Sequence, residues 1–547
     1  MFWARTLRAW CAVLLVVAPA AAQATQPAAR SAGDGIYLHG VLPSGEPLRG
    51  EREAGQHVDG TDAACVNCHR RSGLGAAEGR GFIPPITGQF LFHPKAQNLK
   101  DLDLPYIEGA RPNRDPYTDE TLARVIRSGI AVDGHPLSVL MPHYVLDDAA
   151  MASLIAYLRQ LTATQVPGVS DTALQFATII TPDADRVKRQ ALLDVLTDYF
   201  AEKNATARAV SPRLYTHNNY GKTMYRATRR WQLHIWELAG PAESWEGQLQ
   251  RHLAAEPVFA VISGLGGKNW APVHRFCERN SLPCLFPNVD LPVVAESDFH
   301  SLYFSKGVLL EVGLIAQQLE ELPRRPAIHR LVQIYRANDV GAAAAKALDS
   351  AVSTLHLETV HHVLKATPAG GELAAALKDS RATDVLLLWL RPKDIAALSA
   401  HRPKATQVWM SGRMGGLDDA PLPAKWRTVT RVAYPFDLPD NRRVRVDYPL
   451  GWFSIRHVKI VDFQLQADTY LACGLLSETL NHIGDTFVRD YLIERIEGML
   501  EHRIITGYYP RLTLAPGQRF ASKGGYVVRF ADPTGSRLVA ASDWLTP

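Results

Sequence analysis

The chain has 547 residues, 47% hydrophobic and 21% charged, and its 59 Lys and Arg against 55 Asp and Glu leave a formal charge of +4. So small a surplus over such a length gives no reason to expect nucleic acid or an anionic membrane as partner. One hydrophobic core does not organise this many residues, so several domains are expected and function must be sought in local motifs.

The opening "MFWARTLRAWCAVLLVVAPAAAQATQ" places Arg5 and Arg8 ahead of an apolar run from Trp10 to Ala18, then small residues suited to cleavage after Ala22 or Ala24. Residues 1–24 read as a secretory signal peptide. The run is too short to span a bilayer, and Cys11 lies at its start rather than its end, which argues against a lipid anchor. No later stretch approaches twenty uninterrupted apolar residues. The mature protein is therefore expected to have no membrane span and to reside in an oxidising exported compartment, the periplasm.

In "AACVNCHRRSGLGAAEGRGFIPPITG" (63–88), Cys65, Cys68 and His69 form the pattern in which two thiols attach a c-type haem and the adjacent imidazole ligates its iron. A zinc site needs a second Cys or His pair at matching spacing, and none is near. A redox dithiol needs a βαβ context, whereas this segment is rich in Gly and Arg. "IPPITG" follows at the distance where a proline carbonyl accepts the Nδ1 proton of the ligating His, and Pro84 is the best match. Further on, "GHPLSVLMPHYVLDDAAMASLIAYLRQL" (134–161) sets Met141 on a Met-Pro loop. An Asp-led amphipathic helix follows, with Leu154, Ile155, Leu158 and Leu161 on one side.

Taken in that order, these motifs resemble a class I cytochrome c domain over residues 34–163. The resemblance implies a small all-α domain holding one covalent haem c at Cys65 and Cys68, with His69 and Met141 as axial ligands and Pro84 supporting His69. His93, His135 and His143 compete with Met141 for the distal position, and Met151 is expected to pack inside the helix. A haem with both axial sites filled by His and Met suits outer-sphere electron transfer.

Residues 164–172 read as a short polar linker. Beyond it, "LQFATII", "QLHIWEL", "VFAVISG", "HRLVQIYR" and "TDVLLLWL" are strand-like and each precedes a helical segment. Repeated βα units with near-continuous apolar strands predict parallel sheets covered on both faces, and the length predicts two lobes. Residues 173–547 resemble the type I periplasmic binding-protein fold of the branched-chain amino-acid-binding family. The resemblance rests on "PVFAVISGLGG", "FCERNSLPCLFP", "LYFSKGVLLEVGLIAQQL", "RANDVGAAAAKAL" and "YYPRLTLAPGQRFASKGGYVVRF". It implies a two-lobed α/β domain with a ligand cleft at the C-terminal ends of the strands. Ser263, Gly264, Gly266 and Gly267 of "SGLGGKN" either line that cleft or form a tight turn that needs glycine. An acidic pair is missing at "LAGP" (238–241), so an amino-acid ligand is not expected.

In an exported chain, Cys277 and Cys284 of "CERNSLPC" are expected to form a short-loop disulfide, and Cys473 to be a buried free thiol. "SPRLYTHNNYGKTMYRATRRW" (211–231) reads as an insertion, either a solvated loop or a docking surface for the haem domain or a redox partner.

The chain is thus expected to be multidomain. Its expected role is that of a periplasmic electron-transfer cytochrome fused to a solute-binding module, exchanging electrons with a partner such as a dehydrogenase or another cytochrome. The alternative is a solute receptor or sensor of the ABC-transporter type whose haem is regulatory or structural. No Ser-His-Asp order, paired catalytic carboxylates or complete nucleotide loop is present, so no catalytic residues are expected.

Overall fold

The computed structural model describes residues 32–53, 55–78, 81–92, 115–161, 166–209, 229–295, 298–321, 328–367, 371–399, 401, 403–484, 486–500 and 505–547. The predicted signal peptide, His93, residues 162–165 where the expected haem domain meets the linker, and nearly all of 211–231 lie outside them.

Residues 32–161 fold around three helices, α1 (Ala32–His39), α2 (Asp119–Ser128) and α3 (Asp148–Gln160). Thr118 and Thr121 cap the start of α2 reciprocally, and Gly129, at φ 68°, ends it. Asp147 caps α3 by accepting from the Ala150 N–H. Ile36 and Tyr37 of α1, Leu122, Val125 and Ile126 of α2, and Met151, Leu154, Ile155 and Leu158 of α3 share one buried cluster.

This domain is not all-α. β1 (Arg49–Glu51) lies between β2 (His57–Asp59) and β5 (His143–Val145) in a three-stranded antiparallel sheet. A hairpin joins β3 (Ala76–Glu78) to β4 (Gly81–Ile83). Pro142 and the residues of β5, directly after Met141, run along β1. Gly50 leaves room for them, since a Cβ there would lie 2.9 Å from Pro142 Cβ.

The first lobe of the remaining chain is built on β6 (Ala173–Ile180), β7 (Arg230–Glu237), β8 (Ala260–Ile262), β9 (Cys284–Leu285) and β10 (Ser301–Leu302), all parallel and ordered β10-β9-β8-β6-β7. Helices α4 (Arg186–Ala209), α5 (Trp245–Ala255) and α6 (Ala271–Arg279) connect them. The second lobe follows α7 (Val308–Glu321). Its strands are β11 (Arg330–Arg336), β12 (Glu358–Leu364), β13 (Asp384–Trp389), β14 (Gln407–Ser411), β15 (Thr430–Tyr434), β16 (Tyr526–Phe530) and β17 (Leu538–Ala540), ordered β12-β11-β13-β14-β15-β16-β17. All six residues of β13, "DVLLLW", are buried, as a central strand covered on both faces requires. The last two strands are antiparallel, a departure from the all-parallel expectation that follows from the chain re-entering this sheet from the other lobe.

Between β15 and β16 the chain returns to the first lobe through α8 (Pro439–Arg456), α9 (Phe463–Ile483) and α10 (Arg489–Leu500). It therefore crosses between lobes three times. The crossings lie side by side: Tyr303 N–H donates to Arg519 O, Ser522 N–H to Phe304 O, and Asp437 N–H to Tyr508 O. Phe304 and Phe436 each pack against Tyr509 at this hinge, with ring centroids 5.4 Å from it. No helix among the described residues is long and apolar enough to cross a membrane.

Candidate functional site

Cys65, Cys68 and His69 sit on one helical turn, with His69 N–H donating to Cys65 O at 2.9 Å, and Arg70 leaves that turn at φ 63°. His69 is buried, and its Nδ1 lies 3.1 Å from Pro84 O. Gly75 lets the hairpin return close enough for this contact: at φ 77°, a Cβ there would lie 2.0 Å from the Ile83 carbonyl oxygen. The bond orients Nδ1–H toward the carbonyl and leaves Nε2 with its lone pair free. Burial holds the imidazole down, at about 4, although the Pro84 bond favours the charged form. Burial likewise pushes the Cys65 thiol up to about 12.

Met141 and Cys65 pack against the same apolar cluster. Val139 and Leu140, beside Met141, are 59% and 65% exposed. The His135 side chain is more than half exposed, with its Nδ1 3.3 Å from Asp133. The His143 ring lies against the backbone of Gly129, and Met151 is in the core.

The three residues after His69 run directly onto α10, a junction with no obvious signal in the sequence. Arg70 Nη2 meets Glu497 Oε2 at 2.6 Å, Arg71 Nε lies 3.2 Å from Asp490, and Ser72 donates its N–H and hydroxyl to Glu494 at 2.8 and 2.6 Å. Positions 490, 494 and 497 share one helix face. Arg519 also bonds Glu497, and Leu74 is buried in the core cluster of the α/β domain. Burial pushes the Glu494 carboxyl up to about 8, despite the two Ser72 bonds. Asp490 is held below its usual range: burial opposes ionisation, but His300 and Arg71 outweigh it.

Between the lobes, Asp290 after β9 faces Arg391 after β13 at 2.7 Å and Arg413 after β14 at 3.7 Å, and Arg391 also holds Asp339. Burial alone would raise the Asp290 carboxyl, yet the two guanidinium groups bring it to about 2. Asp468 of α9, held by the Tyr509 hydroxyl at 3.1 Å, is pushed by burial to about 7. Its Oδ1 and the Arg413 Nε are buried without hydrogen-bond partners.

Ser263 is fully buried beside this cleft, at φ 49°, donating to Thr469 Oγ1 and accepting from Asn288 Nδ2 at 2.9 Å. Gly264 and Gly266 pack under the Trp270 ring, and Gly267 lies against the Asp183 carboxylate. The glycines therefore serve close packing of the turn. A cavity of about 330 Å³ lies nearby at the ends of β6 and β7, lined by Thr181, Arg186, Arg189 and Glu237.

Cys277 and Cys284 are buried free thiols in side-chain contact, so the expected disulfide is not formed in this structure. Burial and the Cys284 contact push the Cys277 thiol up. Cys473 is buried and free on α9.

No family model matches the chain, and no curated protein matches it. Among solved structures it is similar to a fatty acid ABC transporter substrate-binding protein from Thermomonospora curvata, at 15% identity and TM-score 0.48, over 70% of this chain and 95% of that one. It is also similar to a possible leucine/isoleucine/valine-binding protein from Rhodopirellula baltica SH 1, at 13% identity and TM-score 0.49, over 70% and 98%. A third is a branched chain amino acid ABC transporter from Thermus thermophilus with bound valine, at 11% identity and TM-score 0.48, over 69% and 97%.

Proposed function

We propose that the chain is an exported two-lobed solute receptor with a covalently attached haem domain fixed to its first lobe. The observation that carries this reading is the junction of Arg70, Arg71 and Ser72 with α10. These residues follow the predicted iron ligand directly, and three carboxylates of the receptor lobe grip them. A haem domain held this way reports on, or answers to, the lobe it sits on. That favours the receptor or sensor reading over a free electron carrier.

The residues fit the group. Cys65 and Cys68 would hold the haem, and the free Nε2 of the neutral His69 and the Met141 sulfur would be its iron ligands. When bound, the haem supplies one-electron redox chemistry. Pro84 keeps the His69 tautomer fixed, and Tyr37 pins Arg70 O through its hydroxyl at 2.7 Å. The receptor cleft is braced by Asp290, Arg391 and Arg413, and closure around a solute would remake those contacts.

The test is the haem midpoint potential of the purified full chain, measured with and without any solute that raises its melting temperature in a screen of small acids, amino acids and alcohols. A solute that both stabilises the protein and shifts the potential supports the reading. A stabilising solute that leaves the potential unchanged overturns the coupling, and a chain without haem overturns the cofactor assignment.

A further inference from the structure

We propose that the first lobe holds a divalent transition-metal ion, zinc by donor chemistry, at His274, Glu278 and Asp298. His274 and Glu278 are four residues apart on α6 and so share a face. Asp298 approaches from the loop before β10, and one ligand atom from each residue lies within 4.8 Å of the others.

The groups behind this triad are arranged to hold it. Tyr303 OH lies 2.8 Å from His274 Nδ1 and fixes the ring so that Nε2 points at Asp298, 2.6 Å away. Glu278 Oε2 accepts from the backbone N–H groups of Phe299 and His300 at 3.0 and 3.1 Å. Its other oxygen, Oε1, is buried beside the hydroxyl of Ser301, and neither atom has a full hydrogen bond. A carboxylate held from behind by backbone N–H groups and a hydroxyl is the arrangement metal ligands adopt.

The chemistry selects the ion. One imidazole and two carboxylates supply two negative charges to a cation of charge two, and an imidazole donor disfavours calcium and magnesium. Three protein ligands leave room for water to complete a tetrahedron. The ion takes the place of the hydrogen between His274 Nε2 and Asp298. The His274 side chain is 4% exposed and those of Asp298 and Glu278 are 14% and 17%, so the solvent that reaches the triad meets its carboxylates.

The site is independent of the haem assignment. It also ties α6 to the junction, because His300, which contacts Glu278, bonds Asp490 at 3.0 Å, and Asp490 meets Arg71.

The experiment is zinc binding by the haem-loaded full chain after chelation and desalting, read by elemental analysis and by X-ray absorption at the zinc edge. The expected result is one zinc per chain, ligated by one imidazole and oxygen donors. Retention should fall at least tenfold in His274→Ala and Glu278→Gln, and affinity 10- to 100-fold in Tyr303→Phe, which keeps all three ligands. Wild-type protein that retains no zinc overturns the proposal. Sulfur in the zinc shell overturns it too, by placing the metal on cysteines, as does equal retention in Glu278→Gln that is folded by circular dichroism.

Discussion

Glu494→Gln separates the proton on Glu494 from the rest of the domain junction. With its folded pKa pushed to about 8 by burial, this carboxyl is mostly protonated at pH 7. An amide of the same shape reproduces the protonated acid: its oxygen accepts the Ser72 N–H and its NH2 faces the Ser72 hydroxyl. Burial raises the carboxyl from an ordinary value of 4.5, so between the two values the folded chain binds more protons than the unfolded one. The associated stability is fully present below the lower value and is lost as pH rises through the upper one. The loss amounts to roughly 3 kcal/mol between pH 5 and pH 8. Asp490 shifts oppositely but is present in both proteins, so it cancels in their difference. Urea unfolding of wild type and variant at pH 5, 6, 7 and 8 measures that difference. The variant should gain about 3 kcal/mol on wild type across the range, whereas a difference that stays constant with pH refutes the buried, protonated Glu494.

Met141→Ala should retain covalent haem but lose the weak far-red sulfur-to-iron band and gain carbon monoxide binding, as absorption spectra would show. Cys277 and Cys284, buried free thiols in contact, should resist alkylation in the folded protein and both label once it is unfolded, as a mass-resolved assay would show, and Cys277→Ser, which buries a hydroxyl in their place, should lower stability by about 1–3 kcal/mol. Asp290→Ala removes the carboxylate shared by Arg391 and Arg413, a partly exposed pair, which should cost about 1–2 kcal/mol; small-angle scattering should show the lobes opening. Gly264→Ala drives a Cβ to 2.6 Å from the Trp270 ring, a clash that should lower stability by about 1–3 kcal/mol and red-shift Trp fluorescence.

Apolar periodicity made the α/β domain legible. "LQFATII" and "TDVLLLWL" lie within a residue or so of β6 and β13, because strands buried on both faces have no freedom to be polar. The segment around Cys473 reads as a helix, but the return of the three helices from Pro439 to Leu500 to the first lobe is set by the crossings and not by local sequence. Around His69 the spacing pointed to Pro84, and the two are in contact. The short strands near Met141 escaped notice because three-residue strands carry too little alternation to register. The junction on α10 was invisible for a different reason: Arg70, Arg71, Asp490, Glu494 and Glu497 are the residue types of a solvated surface, and only tertiary contact turns them inward. His274 and Glu278 at helical spacing were a readable signal that gained meaning only when Asp298 came beside them.

The central claim is that a haem sits at Cys65, Cys68 and His69 on a domain locked to a solute-receptor lobe. Its most direct test is the intact mass and alkaline pyridine spectrum of the full chain purified from an exporting, haem-maturing host, beside Cys65→Ser/Cys68→Ser. The account predicts one haem per chain that survives denaturation in wild type and none in the double variant. Folded wild-type protein without covalent haem contradicts it.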